Sequence, residues 1–118
     1  MINDNYLEGL AKLVVGESVT IPSHMAFGSS NDDLTASDTT LAGEFDRISL
    51  ETGETNGTIA KIIGVRSSVD ADDETVFDIG LFNAASNGNL WSATLISSLL
   101  HTTDFDLEVQ FWIEHQRG

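Results

Sequence analysis

Two acidic runs are the first residues of this chain whose types could do chemistry. Asp70, Asp72, Asp73 and Glu74 place carboxylates close together, an oxygen-rich set of the kind calcium takes. The run is not an EF-hand: Thr75 stands where the sixth-position glycine belongs, and Leu81 where the closing glutamate belongs. Asp32, Asp33 and Asp38 form a second acidic cluster. Both runs read as solvated loops, so no cofactor or resident metal is expected. Asp70, Asp72 and Asp73 are the candidates for a weak calcium or potassium site.

Covalent chemistry finds less support. Nucleophilic catalysis needs a serine or cysteine held by a base. The chain has no cysteine, and no nucleophile-elbow sequence surrounds its serines or His24, His101 and His115. With 19 acidic residues, some carboxylate pair always looks suited to glycoside chemistry, so that signal carries no weight. Gly53, Gly57 and Gly64 have neither the spacing nor the lysine of a phosphate loop. Asn56-Gly57-Thr58 matches a glycosylation sequon, but the Asn-Gly step is better explained by turn geometry. The expectation is a protein that is not an enzyme.

Aromatic residues stand out instead. Phe105, Leu107, Val109, Phe111 and Ile113 occupy odd positions, while Asp106, Glu108, Gln110 and Glu114 occupy even ones. Alternation at period two makes this a strand with one wet face. Trp112 falls on that wet face. Large aromatic side chains in such places are enriched in interface cores. Trp112 therefore reads as an interface residue, with Trp91 of a preceding hairpin as a second, and Gln110, Glu114 and Arg117 as the rim. The alternative is that a loop or helix of the same chain covers Trp112.

The remaining elements follow from the same periodicities. Tyr6, Leu7, Leu10, Ala11 and Val14 recur at helical spacing, with Asn5 and Glu8 as a capping pair and Gly16 as a stop. This helix is expected either to cover one end of a sheet or to dock as an arm on a neighbouring subunit. Ser18–Ile21 and His24–Phe27 read as short extended pieces broken by Pro22, and residues 28–40 as a polar loop pinned by Leu34. Phe45–Glu51, Thr58–Ser67, Val76–Phe82 and Leu90–Ile96 read as strands. Thr52–Gly57, Ser68–Thr75 and Ala84–Asn89 read as turns between them, and Ser97–Thr103 as a link. In Val76–Phe82, the side chains of Phe77, Ile79 and Leu81 are expected to share one face. The fold expected is all-β: a jelly-roll-like β-sandwich of about seven short strands with a short N-terminal helix, one domain over 1–118 with 1–17 as helix or arm.

Composition sets the surroundings. There are 19 Asp and Glu against 5 Lys and Arg, a formal charge of −14 over 118 residues. Such a chain repels itself in dilute salt, and molar salt, with a Debye length of about 3 Å, removes most of that repulsion. A salt-adapted protein is the expected reading. No lysine–arginine cluster is present, which argues against nucleic acid and anionic membrane as partners. No basic leader or long apolar run opens the sequence, so synthesis in the cytoplasm is expected.

Three stretches carry a family likeness: Asp38-Thr39-Thr40-Leu41-Ala42-Gly43-Glu44-Phe45-Asp46-Arg47, Thr55-Asn56-Gly57-Thr58-Ile59, and Ile79-Gly80-Leu81-Phe82-Asn83-Ala84-Ala85-Ser86-Asn87-Gly88-Asn89-Leu90-Trp91. Together with the opening helix and the closing strand, they resemble small virion proteins encoded in tailed-phage structural gene clusters, often labelled tail fibre. The resemblance implies a structural component of a tailed virus particle without catalytic residues. Its expected partners are copies of itself, other virion proteins such as capsid or tail subunits, and a host surface receptor. A capsid decoration or turret subunit in the virion, assembled in the host cytoplasm, is the reading favoured. A tail-tip or fibre component, or a host sugar- or calcium-binding sandwich module, are the alternatives.

Overall fold

The computed structural model describes residues 1–115. Helix α1 (Asp4–Val14) is followed by β1 (His24–Gly28), β2 (Glu44–Ser49), β3 (Thr52–Asn56), β4 (Ile59–Arg66), β5 (Thr75–Phe82), β6 (Leu90–Leu100) and β7 (Leu107–Glu114). The strands form two antiparallel sheets, β2-β1-β5-β6 and β3-β4-β7. The expected all-β fold with a short helix is observed. Three pairs of sequence neighbours, β1–β2, β3–β4 and β5–β6, bond directly within a sheet. That connectivity is simpler than the interleaved Greek keys of a full jelly roll.

One core joins the two sheets. Met25, Phe27, Val76, Ile79 and Leu81 come from the four-stranded sheet; Phe111 and Ile113, with Ala60, Ile62, Leu107 and Val109, come from the three-stranded one. The alternation read in the last strand sorts its side chains as expected: Phe111 and Ile113 are buried, and Glu108, Gln110, Trp112 and Glu114 are exposed. Phe105 lies just before this strand, its ring against that of His101. A smaller apolar cluster covers the other face of the four-stranded sheet, where Leu41 and Leu34 of the loop 29–43 pack on Ala26, Phe82, Leu90 and Ala93. β5 is consequently buried on both faces over much of its length.

Several local expectations are corrected. Thr52–Asn56 is a strand, not a turn, because it pairs with β4 along its whole length; the reversal is made by Gly57, with φ of 61°, and Thr58. A glycine with positive φ at the first of two loop positions suits the right-handed twist of a hairpin. Phe77 does not share a face with Ile79 and Leu81. A register shift between Val76 and Asp78 reverses the alternation there, so Val76 joins the core instead. β6 runs on to Leu100 through the stretch expected to be a link, and Ser18–Ile21 is not a strand.

The helix is capped two residues earlier than the Asn5–Glu8 pair implied. Asn3 is the N-cap, its side chain accepting from the Asn5 backbone N–H, while the Asn5 amide donates to the Leu90 carbonyl. Tyr6, Gly9 and Leu10 face inward, with the Tyr6 ring edge-on to Trp91 at 5.5 Å; Leu7 and Val14 face solvent. The helix covers its own sheet. Ahead of it, Ile2 bridges to Ser92 and the Met1 amino group donates to the Ala93 carbonyl.

Candidate interaction surface

The outer face of the three-stranded sheet is set by the parity of β4 and β7. Ala60, Ile62 and Gly64 lie opposite Ile113, Phe111 and Val109 and point inward, which turns Ile59, Lys61, Ile63 and Val65 outward beside Glu114, Trp112, Gln110 and Glu108. One cross-strand row on this face reads Glu54, Lys61, Trp112. The Lys61 ammonium sits 5.6 Å from the Trp112 ring and 3.3 Å from the Glu54 carboxylate, and the indole N–H donates to Gln110 Oε1 at 3.2 Å. Trp112 remains 61% exposed.

Of the expected interface residues, the structure brings Trp112, Gln110 and Glu114 to one face. Among the described residues, no loop or helix covers the indole. Trp91 is a correction: it is 5% exposed, lying under α1 in the core. The reason is Gly9, where any Cβ would come within 2.9 Å of Trp91 Cζ2, so the absent side chain is the space that the indole fills. Arg117 lies outside the described residues. The apolar contribution of Ile59, Ile63 and Val65 to this face went unnoticed in the sequence, although their odd positions oppose the inward Ala60 and Ile62.

The Asp70–Asp73 run, the weak cation candidate, lies beside a buried arginine. The Asp70 backbone carbonyl and the Asp72 carboxylate turn toward Arg66, whose side chain is 1% exposed at one end of the sandwich. Arg66 Nη2 donates to the Asp70 carbonyl at 2.8 Å and lies 3.4 Å from Asp72 Oδ1, while Nε donates to Asp46 Oδ2 at 2.7 Å. Nη1 meets Nδ1 of the fully buried His101 at 2.8 Å, and the Phe45 ring lies 5.2 Å from the guanidinium. Asp73 takes a positive φ of 59° at the turn. Among the described residues, no three acidic or histidine side chains converge as a ready metal cluster.

The other two histidines are also engaged. His24 lies between the hydroxyls of Ser23 and Ser49. His115 Nδ1 donates to the Thr58 carbonyl, which leaves Nε2 to accept from the Tyr6 hydroxyl. Burial pushes the Tyr6 phenol above its ordinary value.

The second acidic cluster has a different setting. Asp38 is tied within its own loop, accepting from the Thr35 N–H and hydroxyl, each at 2.8 Å; these bonds hold its carboxyl below the ordinary value. Asp32 and Asp33 line a pocket between the loop 29–43 and β5, and its floor includes Asp78. Asp78 is 1% exposed, and its Oδ1 has no hydrogen-bond partner. Burial pushes its carboxyl up, and the charge of Asp32 adds to that push.

Compared with protein-family models, with curated proteins and with solved structures, the chain finds no match.

Proposed function

We propose that this chain is a structural component of a tailed virus particle that assembles with copies of itself through the outer face of its three-stranded sheet. The observation that carries the reading is Trp112, 61% exposed among Ile59, Ile63 and Val65 on an otherwise polar sheet face. A monomer gains nothing from leaving an indole in water, whereas an interface gains its full apolar area. Gln110 and Glu114 supply the polar rim, and the Lys61–Glu54 pair gives the face both signs of charge. The phage likeness of the hairpin and loop stretches supports the particle setting. A surface decoration or turret subunit suits a body of 45 × 27 × 26 Å without shaft repeats; a tail-tip or fibre component is the second location.

Light scattering in molar salt tests the assembly. The wild type is expected to form a closed oligomer, and Trp112→Ala a folded monomer, since an exposed side chain contributes little to folding. A monomeric wild type overturns the reading. The particle setting is checked separately by the gene neighbourhood: portal, capsid or tail genes agree with it, and metabolic genes count against it.

A further inference from the structure

We propose that the pocket between the loop 29–43 and β5 binds a hard cation, with calcium the best fit, through the carboxylates of Asp78 and Asp32. Asp78 faces the outer side of the four-stranded sheet directly opposite Gly28. That glycine makes room for it: a Cβ at residue 28 would collide with Asp78 Oδ1 and lie 3.0 Å from Cγ. The carboxylate thus lies against the neighbouring strand, buried, beside an acidic loop.

A buried carboxylate without a partner is costly, and proteins relieve that cost with a proton, a counter-charge or a metal. Among the described residues, no basic side chain serves here. The four described Lys and Arg side chains each lie against another acid: Lys12 on Glu8, Arg47 on Glu44, Lys61 on Glu54, Arg66 on Asp46. The residues above Asp78 instead offer more oxygen: Asp32, Ser30 and Thr39 all line the same pocket. Asp38, also on the rim, is already held by Thr35 and is not needed.

The choice of cation follows from the loop. Two carboxylates do not complete a shell, so the remaining ligands come from hydroxyls, backbone carbonyls and water. Calcium tolerates this mixture at six to eight oxygens in flexible geometry, whereas magnesium demands near-ideal octahedral geometry. A loop without regular structure between β1 and β2 can adjust to the larger ion. Leu41 and Leu34 of the same loop anchor it on the sheet, so ordering at the pocket is transmitted to the packing over Phe82 and Leu90.

Calorimetric titration of chelator-treated protein with calcium chloride at constant ionic strength, repeated with magnesium chloride, tests the site. One saturable calcium site is expected, with weaker or no binding of magnesium. Asp78→Asn and Asp32→Asn should each weaken calcium by about tenfold or more, since ligand charge tunes affinity over decades. Asp73→Asn, which removes an equal charge on the other acidic loop, should bind as the wild type does. Without calcium, Asp78→Asn should melt at or above the wild-type midpoint, yet gain nothing when calcium is added. Should Asp78→Asn fail to fold, Asp32→Asn on the exposed loop carries the test. No saturable heat up to about 10 mM calcium, an order above the weakest calcium modules, overturns the proposal. So does wild-type binding by Asp78→Asn, or equal loss in Asp73→Asn.

Discussion

Arg66 and His101 meet inside the sandwich, guanidinium Nη1 to imidazole Nδ1 at 2.8 Å, and so tie β4 to the residue that follows β6. Because a guanidinium can only donate, Nδ1 must accept, and Nε2–H then donates to the Phe105 carbonyl at 2.8 Å. One bond fixes the tautomer and the other fixes the turn into β7. The positive charge is balanced by Asp46, and the fork of donors links β2, β4 and the loop after β4 at one end of the molecule.

Arg66→Ala should therefore be among the most damaging single changes, lowering stability by about 3–5 kcal/mol because it strands Asp46 and His101 without their partner. Arg66→Lys should recover only part of this, since one ammonium cannot make the three-way fork. Urea unfolding followed by circular dichroism measures both. A loss below 1 kcal/mol for Arg66→Ala would show that the network contributes little.

The two tryptophans should be separable by light. Trp112→Phe leaves Trp91 alone, and its emission should be blue-shifted and resist acrylamide. The wild type should carry an additional red-shifted component that acrylamide quenches readily, unless self-association covers Trp112. Repeating the measurement across protein concentration then reports the interface directly.

Gly9→Ala should destabilise the protein although alanine is the better helix former. The added methyl has nowhere to go against the Trp91 ring, and overpacking of about 1–3 kcal/mol exceeds a propensity gain of about 1 kcal/mol. Thermal melts should show a lower midpoint. Near-ultraviolet dichroism should change with it as the indole shifts.

Two aspartates should act on stability with opposite sign. Asp38 has a lowered value in the folded state, so its contribution is present above the ordinary value of 3.8 and is lost as pH falls through the folded value. Asp78 is raised: its cost is absent below 3.8, grows as pH rises from there and is complete above the higher folded value. In chelated buffer at neutral pH, Asp38→Asn should lose stability and Asp78→Asn should gain it. The Asp78 difference should fade as pH falls to 3.8, and the Asp38 difference only below it. Melting curves over pH 3–7 check the pair, and the same sign for both would contradict this reading.

What the sequence made legible was whatever depends on strict alternation. β7 was readable because its inward and outward residues never change places, and Trp112 was found as the one exception in composition. β5 was read with Phe77 on the core face because a bulge leaves no local mark in residue types. β3 was read as a turn because Thr52–Asn56 has no apolar residue; its strand form comes from pairing with β4 rather than from burial. Trp91 was misplaced because its cover is Gly9, far away in sequence. Arg66 and Asp78 are not singled out by the sequence because a charged residue type gives no sign of its own burial. A signal existed for each: Arg66 shares parity with Ala60, Ile62 and Gly64, and Asp78 with Gly80 and Phe82, so both positions belong to covered faces.

The internal pairing of the four described basic side chains has a kinetic consequence. With Lys12, Arg47, Lys61 and Arg66 each neutralised by a carboxylate of the same chain, two approaching molecules meet like charge from nearly every direction. The rate of encounter is then governed by ionic strength well before any side chains touch, and it accelerates as counterions shorten the reach of the field. Dilution of the surrounding electrolyte would act as a brake on any self-association of this chain, and concentrated electrolyte as its release.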